Sequence, residues 1–188
     1  MGVLDEGERI RAADAADWRA WLEENHGRKH GVWLLGVRGA DSEGVTYEDS
    51  VRQALCFGWI DGPVRVFDGV NAQWFSPRRS GSIWAATNKA RILELEAAGL
   101  LEPAGIRVIE AAKQNGSWTI LDGPEAGIEP PEFAKALDAV PAARANWDAF
   151  PKSAKKLGLT NIAMAKRAET RAARIAKIVA DAAEGVRP

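Results

Sequence analysis

The sequence predicts an α+β fold that is predominantly helical, with a small antiparallel β meander in the N-terminal half followed by a C-terminal helical region. Three short β-like runs, 59–61, 64–67 and 72–75, are separated by the turn signals Gly62-Pro63 and Asp68-Gly69. Beyond these runs, apolar residues recur at helical spacing between proline and glycine boundaries. A hydrophobic fraction of 46% over 188 residues is sufficient for a buried core.

A helix and a strand are predicted at the front of the chain. Asp14 is a typical N-cap, and the apolar residues after it keep helical spacing as far as Gly27. The segment 32–37 is short and apolar, which is typical of a strand. Gly36 within it indicates a bulge or a close backbone approach.

The remaining helices are predicted from their boundaries. Thr46 and Asp49 form a capping-box pattern, so a helix is expected over about 47–57, with Gly58 at its left-handed end. Proline is a favoured first helical residue and glycine a favoured helix stop. By these signals, further helices are expected over 83–98 and 103–114, from each of Pro131, Pro141 and Pro151, and over 168–184.

The same boundaries predict the domain organisation. Residues 1–121 form an α+β region that carries the GWIDG and SPRR motifs, and 132–188 form a C-terminal helical region. The segment 122–131 between them holds two glycines and three prolines, as expected of a linker. We expect the two regions to pack as one globular unit.

Composition excludes several classes of protein. The most apolar short run, 32–35, is far below the roughly 20 residues of a membrane-spanning helix, so the chain is not expected to span a membrane. A single cysteine, Cys56, fits a reducing compartment, and we expect a cytoplasmic location. With two histidines and one cysteine, no metal site is expected, and no cofactor motif is present.

The net charge of −1 conceals a basic C-terminal end. Residues 152–187 hold nine Lys and Arg side chains against three acidic ones. Such a segment can meet nucleic acid or can dock on acidic parts of its own protein. The alanines interleaved in 165–176 indicate a packing face, so nucleic acid is an unlikely partner for this segment and ranks below docking on the protein itself.

Unusual residues are densest in two stretches, 56–62 and 74–84. Asp61 ends a predicted strand beside a glycine, where a rigid element can hold a carboxylate in a cleft. Arg78 and Arg79 lie just before the helix expected near Ser82, so their guanidinium groups and the free helix amides could converge on one anion. Asp61 is the candidate catalytic residue, and the candidate ligand-binding residues are Trp59, Asp61, Trp74, Arg78, Arg79, Trp84, Asn88 and Lys89.

Structural roles are the main alternative for these residues. Asp61 can pair with Arg78 or Arg79 and lock the turn, because a partly buried carboxylate usually has a structural partner. Trp59 and Trp84 are typical core residues. Similarly, the glycine-flanked loop 26–30, which holds both histidines with Arg28 and Lys29, is interpreted as a solvated loop.

Several spaced motifs follow one another along the chain: Ala54–Gly62, Phe75–Arg79, Ser82-Ile83-Trp84, Asn88-Lys89, Ala104-Gly105, Ala111–Lys113, Gly116–Trp118, Ala165–Arg171 and Arg174-Ile175. In this order they resemble the YdeI/OmpD-associated family over roughly residues 15–184. The resemblance implies a bacterial protein associated with bacteriocin protection or with an outer-membrane porin, and it implies no catalytic residue. The sequence departs from the family at 157–162, where aromatic residues are expected.

Three functional hypotheses follow. The first is a cytoplasmic stress or envelope-protection protein that binds a small anionic ligand or a protein partner near Asp61, Arg78 and Arg79. The second is an enzyme acting on a phosphate- or carboxylate-bearing small molecule, with Asp61 as general base. The third, ranked lowest, is nucleic-acid binding through the basic C-terminal helices.

Overall fold

The computed structural model describes residue 4, residues 7–37 and residues 44–188. It confirms the predicted fold class, with a sheet in the N-terminal half and helices in the C-terminal half. The described chain divides into two compact units. The first runs to Ser82 and takes in Thr87–Asn115, and the second comprises Ile83–Ala86 and Gly116–Pro188.

The front half of the chain alternates helices and strands. Two predicted caps are confirmed: the Asp14 side chain accepts from the backbone N–H groups of Ala16 and Asp17, and Thr46 Oγ1 accepts from the N–H of Asp49. Each cap satisfies orphan donors in the first turn of its helix. The elements are β1 Arg9–Ile10, α1 Ala15–Asn25, β2 Val32–Leu35, α2 Tyr47–Cys56, β3 Trp59–Phe67, β4 Val70–Pro77, α3 Ala86–Ala97 and α4 Pro103–Gln114.

Among the described residues, four strands form one sheet in the order β1-β2-β4-β3. The β3–β4 hairpin turns at Asp68 and Gly69, both with positive φ, as the turn signal predicted. In addition, β2 pairs antiparallel with β4 and β1 pairs parallel with β2, so the sheet is more than a meander. The prediction of a turn at Gly62-Pro63 was wrong: β3 is continuous, and a register shift between Asp61 and Val64 makes these residues a bulge.

One face of the sheet packs against α1 and α2. Phe75 on β4 meets Trp18 of α1 with ring centroids 5.4 Å apart, and Trp59 at the start of β3 meets Trp21 edge-on at 5.8 Å. Trp18, Trp59 and Phe75 are fully buried. The opposite face carries a smaller cluster of Trp33, Ala72 and Trp74. The first unit therefore has aromatic residues on both faces of its sheet.

Two local predictions in the first half require correction. The helix expected over 83–98 begins at Ala86, and the N–H of Ala86 donates to Oε2 of Glu125 at 2.9 Å. The helix start therefore lies further along the chain than Ser82, and a carboxylate accepts from its first amide. Gly36 lies after the end of β2, where its φ of 76° is needed in a turn and not in a bulge.

The second unit is helical. Pro131 and Pro141 each begin a helix as predicted, and Pro151 is the N-cap of the next one. The segment 122–131, expected to be a linker, holds a short helix. The elements are α5 Asp122–Ala126, α6 Pro131–Asp138, α7 Pro141–Ala149, α8 Lys152–Ala163 and α9 Ala168–Ala183, and their core includes Phe133, Leu137, Ala143, Trp147, Leu159, Ile162, Ile175, Ile178, Val179 and Ala182.

An arginine-centred cluster of ion pairs ties the second unit together. The Arg144 guanidinium donates to both carboxylate oxygens of Glu129, at 2.8 and 2.9 Å, and also to Asp148. The indole of the buried Trp147 donates to the same Glu129 at 2.7 Å. These bonds raise the pKa of Arg144 and, chiefly through the Arg144 hydrogen bond, lower the pKa of Glu129 below its ordinary value of 4.5.

Several cations of the basic C-terminal segment pair with acids inside the second unit. Lys156 bonds Glu125 at 2.8 Å, and Arg171 bonds Glu132 at 2.6 Å. Lys177 pairs with Asp181 one turn further along its own helix. Part of the positive charge in this segment is therefore offset by nearby carboxylates.

In the described part of the chain, no helix combines the length and apolar character that crossing a membrane requires.

Candidate anion-binding cleft

A cleft of about 690 Å³ opens in the first unit where two segments meet. One segment is the loop 28–31 between α1 and β2, and the other is the end of β4 with the residues after it, 74–79. The register of the sheet brings them together, because Val32 pairs with Phe75. The lining residues are Leu4, Arg28, Lys29, His30, Gly31, Gly62, Pro63, Trp74, Ser76, Pro77, Arg78 and Arg79.

The lining of the cleft is strongly basic. Five of its side chains are Arg, Lys or His, and among the described lining residues none is acidic. Arg28 donates to Glu8 at 2.5 Å, so part of the charge at one edge is offset. A concave site concentrates the electric field of the cations that line it, and this field attracts anions. The lining therefore favours an anionic ligand.

Arg78 is the most enclosed of these cations. It is 7% exposed, and its backbone N–H donates to the carbonyl of Gly58 at 3.0 Å, which anchors the chain just after β4. Burial lowers the pKa of Arg78 to about 10, and the negative charge of Asp61 partly opposes this shift. Arg78 therefore keeps its positive charge at neutral pH, in a position where solvent stabilises it poorly.

Asp61 lies on β3 opposite Phe75, at the start of the bulge. Its Oδ2 accepts a hydrogen bond from the hydroxyl group of Tyr47, with the two oxygens 2.8 Å apart. Its charge raises the pKa of Arg91 as well as that of Arg78, although the largest cause at Arg91 is the hydrogen bond that Arg91 donates to Glu48. The carboxylate thus acts on two arginines while a tyrosine holds it in place.

Asn88 and Lys89 belong to α3, and no residue of that helix is among the described residues lining the cleft. Asn88 Oδ1 accepts from Arg91 Nη1 at 2.8 Å, and Arg91 in turn bonds both oxygens of Glu48 at 2.9 and 2.6 Å. Lys89 is half-buried. Asn88 is therefore part of a polar network that joins α2 to α3.

The three tryptophans predicted to line a pocket lie in different places. Trp74 lines the cleft. Trp59 is fully buried, and its indole N–H donates to the carbonyl of His26 at 3.0 Å. Trp84 belongs to the second unit, where its ring lies 4.9 Å from that of Trp118. Of the sequence-predicted residues, Trp74, Arg78 and Arg79 thus line one cleft.

The loop residues Arg28, Lys29 and His30 were interpreted from the sequence as solvated, but they form one side of the cleft. Lys29 and His30 are indeed exposed. The missing signal was the pairing of β2 with β4, which brings this loop beside Arg78 and Arg79. Two basic pairs, each adjoining a predicted strand, could have indicated a shared site.

The fold and the cleft define an α+β protein with a basic cleft beside its sheet and a separate helical unit. Residues 10–108 match a domain of unknown function, DUF8412, and because this match covers more than half of the chain, the protein belongs to that family. Residues 127–185 match the family described as Bacteriocin-protection, YdeI or OmpD-Associated. Comparisons with curated proteins and with solved structures gave no significant match.

These matches narrow the resemblance that the motifs suggested. It was expected over roughly residues 15–184, and it is supported over 127–185. The stretches 54–62 and 75–89, which carry the cleft arginines and Asp61, fall instead in the DUF8412 match. The chain thus combines two family regions, and the cleft lies in the one whose description states no function.

Proposed function

We propose that this protein is a cytoplasmic stress or envelope-protection protein that binds a small anionic ligand in the cleft of its first unit. The observation that carries the proposal is the convergence of two basic segments, 28–30 and 78–79, on one concave site whose described lining holds no acid. The match of 127–185 to the bacteriocin-protection family supports the protective role. A protein partner that presents an acidic side chain would use the same cations.

The first test is thermal unfolding of the full chain with inorganic phosphate, pyrophosphate and sulfate. Anion at about 100 times its dissociation constant stabilises the folded state by about 2.7 kcal/mol. For a chain of this size, each kcal/mol raises Tm by roughly 2 to 4 °C. The exposed cleft residue Arg79 is replaced in Arg79→Gln, and Arg107, exposed on α4 and outside the cleft, is replaced in the control Arg107→Gln.

The proposal expects the anion-induced shift to fall in Arg79→Gln and to persist in Arg107→Gln. Equal shifts in both variants would mean that the anion acts through general charge and would contradict the site. No shift with any of the three anions would contradict anion binding itself. A protective phenotype that is lost in Arg79→Gln and kept in Arg107→Gln would link the cleft to protection.

An enzyme that uses Asp61 as general base is a second candidate, because the charge of Asp61 reaches Arg78 in the cleft. The hydrogen bond from Tyr47 gives this carboxylate a structural role as well. Replacement by Asp61→Asn keeps the size and the acceptor oxygen. If Asp61→Asn loses turnover of a bound phosphate ester and keeps its Tm, Asp61 has a catalytic role. If turnover is unchanged, Asp61 is not the general base.

A further inference from the structure

The ring of Trp74 is closed to a stacking ligand. It is 6% exposed, and the indole of Trp33 lies against it with ring centroids 5.1 Å apart. Three glycines pack on it from different sides: a Cβ at Gly7, Gly31 or Gly62 would lie 2.5, 2.6 or 2.8 Å from a Trp74 ring atom. These glycines leave no room for a side chain, so they hold the backbone directly on the ring.

A closed ring limits what the cleft can recognise. Proteins that bind bases by stacking present an open aromatic face, and such stacking contributes about 1 to 3 kcal/mol per base. The aromatic rings among the described lining residues are the indole of Trp74, which is covered, and the smaller imidazole of the exposed His30. The cleft therefore has cations for the charged part of a ligand and no open indole, phenol or phenyl face for an aromatic part.

The cations of the cleft lie at two levels of exposure. Arg78 is enclosed at 7% exposure, next to the half-buried Ser76 and Pro77. Lys29, His30 and Arg79 also line the cleft, but they are exposed to solvent. A single anionic group held by the enclosed arginine would leave the exposed cations to meet further charge.

The volume of the cleft agrees with a ligand larger than one anionic group. At about 690 Å³, the cleft lies within the roughly 300 to 1,000 Å³ typical of small-molecule sites. A phosphate or carboxylate group fills a small part of that space. Pockets of this size typically hold whole small molecules.

We propose, building on the anion-binding function above, that the cleft takes a non-aromatic ligand with at least two anionic groups in a row. The first group binds the enclosed guanidinium of Arg78, and the second binds the exposed cations Lys29 and Arg79. A diphosphate or a short polyphosphate has this chemistry. An arginine fork suits the oxygens of a phosphate, and a flexible lysine suits a charge whose position varies.

The test measures dissociation constants by calorimetry for inorganic phosphate, pyrophosphate, tripolyphosphate and ADP. The variant Lys29→Gln/Arg79→Gln removes the two exposed cations of the cleft. The matched control Arg11→Gln/Arg107→Gln removes two exposed cations of the first unit that lie outside it. Full-length protein is used throughout, and the Tm of each variant verifies folding.

We expect the wild type to bind pyrophosphate at least tenfold more tightly than phosphate. In Lys29→Gln/Arg79→Gln that ratio should fall below threefold, because pyrophosphate loses more affinity than phosphate does, and in the control pair it should persist. ADP should bind no more tightly than pyrophosphate, because the indole of Trp74 is closed to its base.

Three results would overturn the inference while leaving anion binding intact. These are equal affinities for phosphate and pyrophosphate in the wild type, a uniform loss for all anions in Lys29→Gln/Arg79→Gln, and ADP binding tenfold more tightly than pyrophosphate. Absence of binding by every probe would instead remove the proposed anion-binding function, so the two failures are distinguishable.

Discussion

Two arginines, Arg78 in the first unit and Arg144 in the second, show how differently the two units use the same side chain. Burial lowers the pKa of Arg78 to about 10, and Asp61 offsets only part of this effect. The hydrogen bonds that Arg144 donates to Glu129 and Asp148 raise its pKa. Arg78 is 7% exposed among other cations, whereas Arg144 is about a quarter exposed between carboxylates.

The comparison teaches that the anions around an arginine decide its role. Arg144 is surrounded by acceptors from its own unit, so its charge contributes to stability. Arg78 is enclosed in a basic cleft, which would attract the negative charge of a ligand. The proposed binding site is therefore in the first unit, whereas the ion pairs of Arg144 stabilise the second unit.

The largest expected effect is in the loop that brings the cations to the cleft. A Cβ at Gly31 would lie 2.2 Å from the carbonyl oxygen of Phe75, and backbone there has little freedom to move. We expect Gly31→Ala to destabilise the protein by about 3 kcal/mol, measured by urea unfolding, and to weaken phosphate binding. Gly27→Ala, with nothing within 4 Å, is the control and should be nearly neutral. A neutral Gly31→Ala would mean that the loop is not held on β4.

Replacing each of the two arginines by methionine tests whether they have different roles in the two units. Arg144→Met removes charged hydrogen bonds to Glu129 and Asp148 and should cost about 2 kcal/mol of unfolding free energy. Arg78→Met should cost less than Arg144→Met, because burial already disfavours the charge of Arg78. Only Arg78→Met should abolish anion binding. Similar destabilisation by both would break the contrast between the units.

A pH dependence follows from Glu129. Its pKa is lowered in the folded protein, so its contribution to stability is present above the ordinary value of 4.5 and is lost as pH falls through the lower folded value. The difference in unfolding free energy between wild type and Glu129→Gln should be about 1 kcal/mol at pH 7 and should shrink as the pH falls below 4.5. A difference that stays constant from pH 7 to pH 3 would show that the charge of Glu129 contributes nothing. Glu169→Gln, exposed in α9, is the control.

The smallest effect is expected at an exposed ion pair. Lys177 is 75% exposed and bonds Asp181 at 2.8 Å within α9. Pairs of this kind contribute about 0.3 to 0.5 kcal/mol and are screened by salt. Lys177→Ala should therefore change the unfolding free energy by less than about 0.5 kcal/mol. A loss as large as that of Arg144→Met would mean that exposure is a poor guide to the strength of these pairs.

Helix boundaries could be predicted from the sequence because their causes are local. Thr46 with Asp49, Pro103, and the glycine stops at Gly58 and Gly99 act within one turn, and each is where it was expected. The start of α3 was predicted at residue 83, three residues early. The acceptor for the first amide of α3 is Glu125, which is far away in the sequence.

The sheet and the cleft could be predicted only in part because their pairings are long-range. The β3–β4 hairpin followed from its turn residues, but the β2–β4 and β1–β2 pairings have no short-range signal. Trp74, Arg78 and Arg79 were picked out by composition, whereas Arg28, Lys29 and His30 depend on the β2–β4 register. Cleft partners brought together by distant strands are therefore what sequence reasoning missed.

The bulge at Gly62-Pro63 shifts the alternation of side chains between the two faces of β3 by one residue. Before it, Asp61 pairs with Phe75 and shares the helix-covered face; after it, Arg65 pairs with Ala72 and shares the face of Trp33. Without the extra residue, alternation would put Asp61 and Arg65 on the same face. Removing one residue here would therefore send the Asp61 carboxylate to the wrong side of the sheet, so the spacing of this strand, and not only its composition, decides which charge Arg78 meets.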